Sequence, residues 1–215
     1  MRAYIFGAKN KTEIIDLEKT AKALEDAKAF VSELSVTGKK ILFVGTKPEA
    51  REAVAAAAEK AGQPYMTERW IGGTLTNFPQ IRKRVERLGE LLEKKEKGEL
   101  DVYTKKERLL FDRELEKLLR DFGGITSLSS LPDALFVVDP RKEAIAVKEA
   151  SREGIPVIAL ASSDCDISAV SFPIPGNDAV RKSITLIADA IADAYVGAGE
   201  RKEGKEAAPA EEKKK

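Results

Sequence analysis

Histidine is absent from this chain of 215 residues, and cysteine occurs once, at Cys165. The first absence excludes Ser-His-Asp and Cys-His catalysis and every histidine-ligated metal centre within the chain. The second excludes an internal disulfide and a cysteine-rich zinc site. A catalytic thiol would need a base other than histidine. No apolar run approaches the roughly 18 residues of a membrane span. The start, MRAYIFGAKNK, lacks the apolar stretch and cleavage site of a signal peptide. A cytoplasmic protein is expected. Surplus charge is missing too: Lys plus Arg is 37, Asp plus Glu is 36, and the net is +1. Proteins that hold nucleic acid by bulk charge are far more basic, so RNA contact here requires local patches.

Apolar residues make up 43% of the chain, enough for a core. Short β-rich runs alternate with helical patterns. Asp16 opens a helix whose Leu17, Ala21, Leu24, Ala27 and Val31 follow the helical period. Ile41 to Val44 reads as a buried strand. Thr46, Pro48 and Glu49 then form a capping-box pattern that starts an Ala-rich helix, closed by Gly62. Tyr65 to Thr67, Ala134 to Val138, Ile155 to Ala161 and Val170 to Ile174 read as further strands. Asp139-Pro140 and Asn177 read as helix caps, and capping accounts for the acids Asp139 and Asp178. This alternation predicts an α/β fold, a three-layer domain with about five parallel strands.

Residues 68–133 break the rhythm. Ile81, Val85, Leu88 and Leu92 form one coiled-coil-like seam, and Phe111, Leu115, Leu118 and Phe122 form another. KGELDVY is a turn between them, and Thr104 with Glu107 gives a second capping box. An inserted antiparallel coiled-coil helical hairpin is expected at 79–124, with Gly123-Gly124 as its return. The sheet domain then comprises 1–78 and 125–196. From Gly197 onward no large apolar residue occurs, so 197–215 is expected to be a disordered charged tail.

A parallel sheet invites the thought of a nucleotide- or sugar-phosphate-binding enzyme, because ligands favour the carboxyl ends of the strands. Neither G-x-G-x-x-G nor G-x-x-x-x-G-K-[ST] is present. GTKPE offers only helix N-terminal amides. Asp164 and Asp166 flank Cys165 but lack further ligands, which favours a plain polar loop over a cation site. No catalytic residue, metal ligand or cofactor is assigned. The most distinctive segment is RWIGGTLTNF, followed at once by IRKRVERL. Gly72 and Gly73 let the backbone approach another surface. Trp70 can anchor or stack, and Arg69, Thr74, Thr76 and Asn77 can reach phosphates or riboses. Arg82, Lys83, Arg84 and Arg87 add a basic stretch suited to a phosphate backbone. An ordinary loop and a solvated helix face account for the same residues.

RWIGGTLTNF resembles the hallmark of the bacterial small-subunit ribosomal protein two (S-two) family. So do YIFGAKNKTEIIDLEKT, ILFVGTK, LPDALFVVDPRKEAIAVKEA, GIPVIAL and IPGNDAVRKSITLI. The resemblance spans about residues 2–196. It implies a Rossmann/flavodoxin-like domain with a protruding hairpin and a structural place in the small ribosomal subunit, not catalysis. The implied partners are small-subunit ribosomal RNA and other small-subunit ribosomal proteins, including the large mRNA-binding protein one of that subunit. Neither a membrane nor a small-molecule substrate is implied. Family members carry a further stretch before YIFG, with a basic, His- and Trp-containing motif. Their loop after the fourth strand opens with Asp, where this sequence reads Ser162-Ser163-Asp164-Cys165-Asp166.

Overall fold

A computed structural model describes residues 1–9 and 12–206. Its centre is a sheet of five parallel strands: β3 (Ile41–Val44), β4 (Tyr65–Met66), β5 (Ala134–Val138), β6 (Val157–Ala161) and β7 (Phe172–Pro175), ordered β4-β3-β5-β6-β7. Counted from β3, this is the doubly wound order 2-1-3-4-5 of flavodoxin-like folds. Continuous apolar runs form β3, β5 and β6 because both faces of each are buried. The register sets Phe43 opposite Phe136, and Phe136 opposite Ile158. Ahead of α1 lies a separate antiparallel pair, β1 (Ile5–Lys9) and β2 (Thr12–Ile15).

Side chains alternate across the sheet and divide the core in two. Ile41, Phe43, Phe136, Ile158, Leu160 and Ile174 pack under α1 (Leu17–Val36), α2 (Pro48–Lys60) and α6 (Arg181–Glu206). Leu42, Val44, Leu135, Val137 and Ala159 face α5 (Ala144–Glu153), and Trp70 and Leu75 share that side. The same second core takes in Leu88 and Leu91 of α3 (Phe78–Glu96) with Leu115, Leu118 and Phe122 of α4 (Lys105–Phe122). The hairpin is therefore rooted in the sheet's own core. Both seams meet, and Arg87 bridges the helices by donating from Nε to Glu114 Oε1 at 3.1 Å and from Nη2 to Oε2 at 3.3 Å. Lys95 and Asp112 pair further out at 2.8 Å. Thr104 and Glu107 form the expected capping box.

Three expected caps are different in the structure. Thr46 does not cap α2; Lys47 stands at that position, and the Thr46 hydroxyl donates to Glu143 Oε1 at 2.5 Å. Asp139 caps only a turn, accepting from Lys142 N at 3.1 Å, and α5 starts at Ala144. Asn177 accepts from Ala179 N and Val180 N, one turn before α6 begins. Of the expected tail, residues 197–206 continue α6, which ends at Glu206, and 207–215 lie outside the described residues. Ala198 is buried and Gly199 lies against Ser35 of α1, so packing carries this end of the helix in spite of its glycines.

Gly124 fixes how the hairpin returns to the sheet. A Cβ there would overlap the Tyr65 carbonyl oxygen and lie 2.8 Å from that residue's ring. Backbone cannot give way as a flexible side chain does. Gly124→Ala is expected to cost at least about 2 kcal/mol by overpacking. A urea midpoint equal to wild type would show that β4 yields at this contact.

Candidate nucleic-acid interface

In a 2-1-3-4-5 sheet the ligand crevice lies beyond the carboxyl ends of strands 1 and 3, here β3 and β5. This chain fills that crevice with its own side chains. Lys47 Nζ sits 2.7 Å from Asp139 Oδ2 and 3.2 Å from Asp178 Oδ1. Glu143 accepts from Thr46 N at 3.0 Å and from the Thr46 hydroxyl. Asp139 holds φ 65°, a left-handed conformation unusual for a residue with a side chain. Gly45 lets α2 close tightly, since a Cβ would lie 2.7 Å from Val54 Cγ2. The ligand atoms of Asp139, Cys165 and Asp178 fall within 4.8 Å of one another, a spacing compatible with a metal ion. The two aspartates hold a cation already, the chain's own Lys47. Burial pushes the Cys165 thiol up, away from a reactive thiolate. Asp164 pairs with Arg141 and accepts from the Ser162 hydroxyl. Asp139 and Asp178, explained from the sequence as caps, are members of a buried ion pair.

The loop at 69–77 is organised around a residue the sequence reading missed. Glu149 of α5 is buried and accepts five hydrogen bonds: from Gly73 N (2.8 Å), Leu75 N (3.0 Å), Thr76 N (3.3 Å), Thr76 Oγ1 (3.3 Å) and Trp70 Nε1 (3.3 Å). Successive amides converge on one carboxylate, which is an anion nest satisfied from within. Burial pushes this carboxyl up, but the donors from Gly73, Leu75, Trp70 and Thr76 outweigh it and hold it below the ordinary glutamate value. Gly73 has φ 90°, which only glycine adopts readily. The available signal was Glu149's place beside Ala146 and Ala150, an acid on the apolar face of a helix.

The ten candidate contact residues thus divide. Trp70 and Thr74 are buried, so neither ring nor hydroxyl is presented for stacking or phosphate contact; Thr74 Oγ1 donates to Ile71 O at 2.6 Å. The Gly73 amide is held by Glu149. Arg82 pairs with Glu86 and donates to Ser129 O, and Arg87 is spent on the α3–α4 bridge. Arg69, Gly72, Asn77, Lys83 and Arg84 remain exposed. Arg69 and Arg84 also line a cleft of about 760 Å³ between the loop and the hairpin. Lys117, absent from the sequence reading, lies on its far wall. Among the described residues no helix is long and apolar enough to cross a membrane.

The fold defines a doubly wound α/β protein whose strand-end crevice holds its own side chains, with a latched loop beside a charged cleft. Residues 1–198 match the family Ribosomal protein S2, and the chain belongs to that family. Three relatives are each named small ribosomal subunit protein uS2. The one from Roseiflexus sp. (strain RS-1) is 49% identical over 207 residues, 96% of this chain and 79% of the relative. That of Roseiflexus castenholzii (strain DSM 13941 / HLO8) is 48% identical over the same shares. That of Chlorobium phaeobacteroides (strain DSM 266 / SMG 266 / 2430) is 47% identical over 94% of this chain and 80% of the relative. The family's role is structural, not enzymatic.

Proposed function

We propose that this chain is a cytoplasmic structural constituent of the small ribosomal subunit, contacting small-subunit ribosomal RNA and neighbouring ribosomal proteins. The observation that carries this reading is family membership across nearly the whole chain. The mechanism is positioning. Arg69, Lys83 and Arg84 supply phosphate contacts, Asn77 a polar one, and Gly72 close approach. Trp70, Gly73, Thr74, Arg82 and Arg87 support them by holding the loop and the hairpin in place. Residues 1–78 and 125–196 form the body and 79–124 the hairpin, and both meet protein partners, the large mRNA-binding protein one of the subunit among them.

A sucrose gradient of tagged protein from its own cell lysate, at low and high salt, tests this. Co-migration with small subunits, weakened by salt, is expected; a discrete small peak at every salt concentration overturns the reading. A Cβ at Gly72 meets nothing within 4 Å of the protein itself. Gly72→Val is therefore expected to keep the wild-type urea midpoint while its subunit occupancy falls. Normal occupancy would remove this loop from the interface.

A further inference from the structure

We propose that the cleft between the 69–72 loop and α4 is a binding trough for an RNA backbone, gripped by Arg69, Arg84 and Lys117. This rests on the ribosomal reading above and gives it a specific site. Cation bookkeeping within the cleft is the first support. Each acid on its walls already has a base: Glu68 pairs with Arg51 at 2.9 Å, Glu114 with Arg87 at 3.1 Å and Asp121 with Arg120 at 3.1 Å. Among the described residues, no ion pair or hydrogen bond engages the side chains of Arg69, Arg84 or Lys117. The cleft therefore presents positive charge that nothing in the chain neutralises, on three separate elements: the loop, α3 and α4. Three unpaired cations on three elements facing one cleft complement a polyanion.

Shape is the second support. The cleft of about 760 Å³ is joined by a second of about 360 Å³ that shares Glu68, Arg69, Arg120 and Asp121. Together they form a trough past the end of α4, the form of a strand rather than of a compact ligand. The third support is the state of the loop amides. Small free phosphates are cradled by converging backbone N–H groups, and here Gly73, Leu75 and Thr76 give theirs to Glu149. What remains are charged side chains, which hold a phosphodiester chain as point charges and forks. Gly72, exposed and without a side chain, leaves the rim open for a backbone to enter.

Assembled subunits supply the test. Tagged full-length chains carrying Lys117→Cys or Arg84→Cys are incorporated in cells, and small subunits are isolated. Iron–EDTA is tethered at the new cysteine, the native Cys165 being buried. Hydroxyl radicals then cleave nearby RNA backbone. Both sites are expected to cut one common stretch of ribosomal RNA. Lys22→Cys, on α1 across the sheet, is expected to spare that stretch. A second arm reads the salt needed to strip half the protein from subunits: Lys117→Glu is expected to lower it, with Lys22→Glu unchanged. Incorporated protein that cuts no RNA from 84 or 117, with Lys117→Glu stripping like wild type, overturns the trough while leaving the ribosomal reading standing. Wild-type protein that never enters subunits overturns both. Protection of the cleft by free nucleotide alone, in the absence of RNA cleavage, assigns it to a small ligand and also overturns the proposal.

Discussion

Glu149→Ala is expected to lose at least about 3 kcal/mol of stability, because it strands several buried donors at about 1–3 kcal/mol each. The Leu75 amide and the Trp70 indole N–H lie in the interior and have no water to turn to. The only tryptophan reports the change directly. Its emission is expected to shift to the red in Glu149→Ala as the loop leaves α5. Glu149→Gln is expected to fall between, since it keeps one carbonyl acceptor but turns an NH₂ donor toward other donors. The acid limb carries the same signature. Glu149 in the folded protein is held below its ordinary value, so its stabilisation is fully present above the ordinary glutamate pKa of about 4.3. It is lost as pH falls through the lower folded-state value. Urea midpoints measured down the acid range should therefore converge for wild type and Glu149→Gln. A Glu149→Ala protein with a wild-type midpoint and unshifted tryptophan emission would mean that Trp70 and Leu75 packing alone holds the loop.

That carboxylate also explains what was and was not legible in the sequence. β3, β5 and β6 were legible because a strand buried on both faces is apolar at every position, so its neighbours along the chain suffice to identify it. The Thr104 capping box was legible because its partner, Glu107, lies three residues away. Thr46 and Glu49 match the same local pattern, yet the Thr46 hydroxyl is captured by Glu143, 97 residues on. Asp139 and Asp178 looked like caps for the same reason: their deciding partner, Lys47, is remote in sequence. The contact residues follow this rule as well. Their identities and region were visible, whereas which of them face outward depended on Glu149, Glu114 and Ser129, all on other elements.

Lys47→Met is expected to cost about 3–5 kcal/mol, the penalty for removing one partner of a buried ion pair. The substitution nearly preserves volume, so packing contributes little. What it leaves is Asp139 and Asp178, both buried, facing each other with no positive charge between them. Adding Asp139→Asn and Asp178→Asn to Lys47→Met is expected to recover most of the loss, since the triple variant buries polar groups instead of uncompensated charges. Alkaline pH gives an independent reading. Burial alone would lower the Lys47 pKa, but Asp139 and Asp178 raise it by more, so the net shift is upward. Its contribution is then fully present below the ordinary lysine value and lost only as pH rises through the higher folded-state value. Wild type should hold its advantage over the triple variant from neutral pH to the lysine range, then lose it. A single variant as stable as wild type would show that water enters the crevice and screens the acids. Recovery in the triple variant would instead identify Lys47 as a tethered cation. On that outcome, the crevice where this fold usually receives a ligand is closed from within, and the binding work moves to the loop and the hairpin.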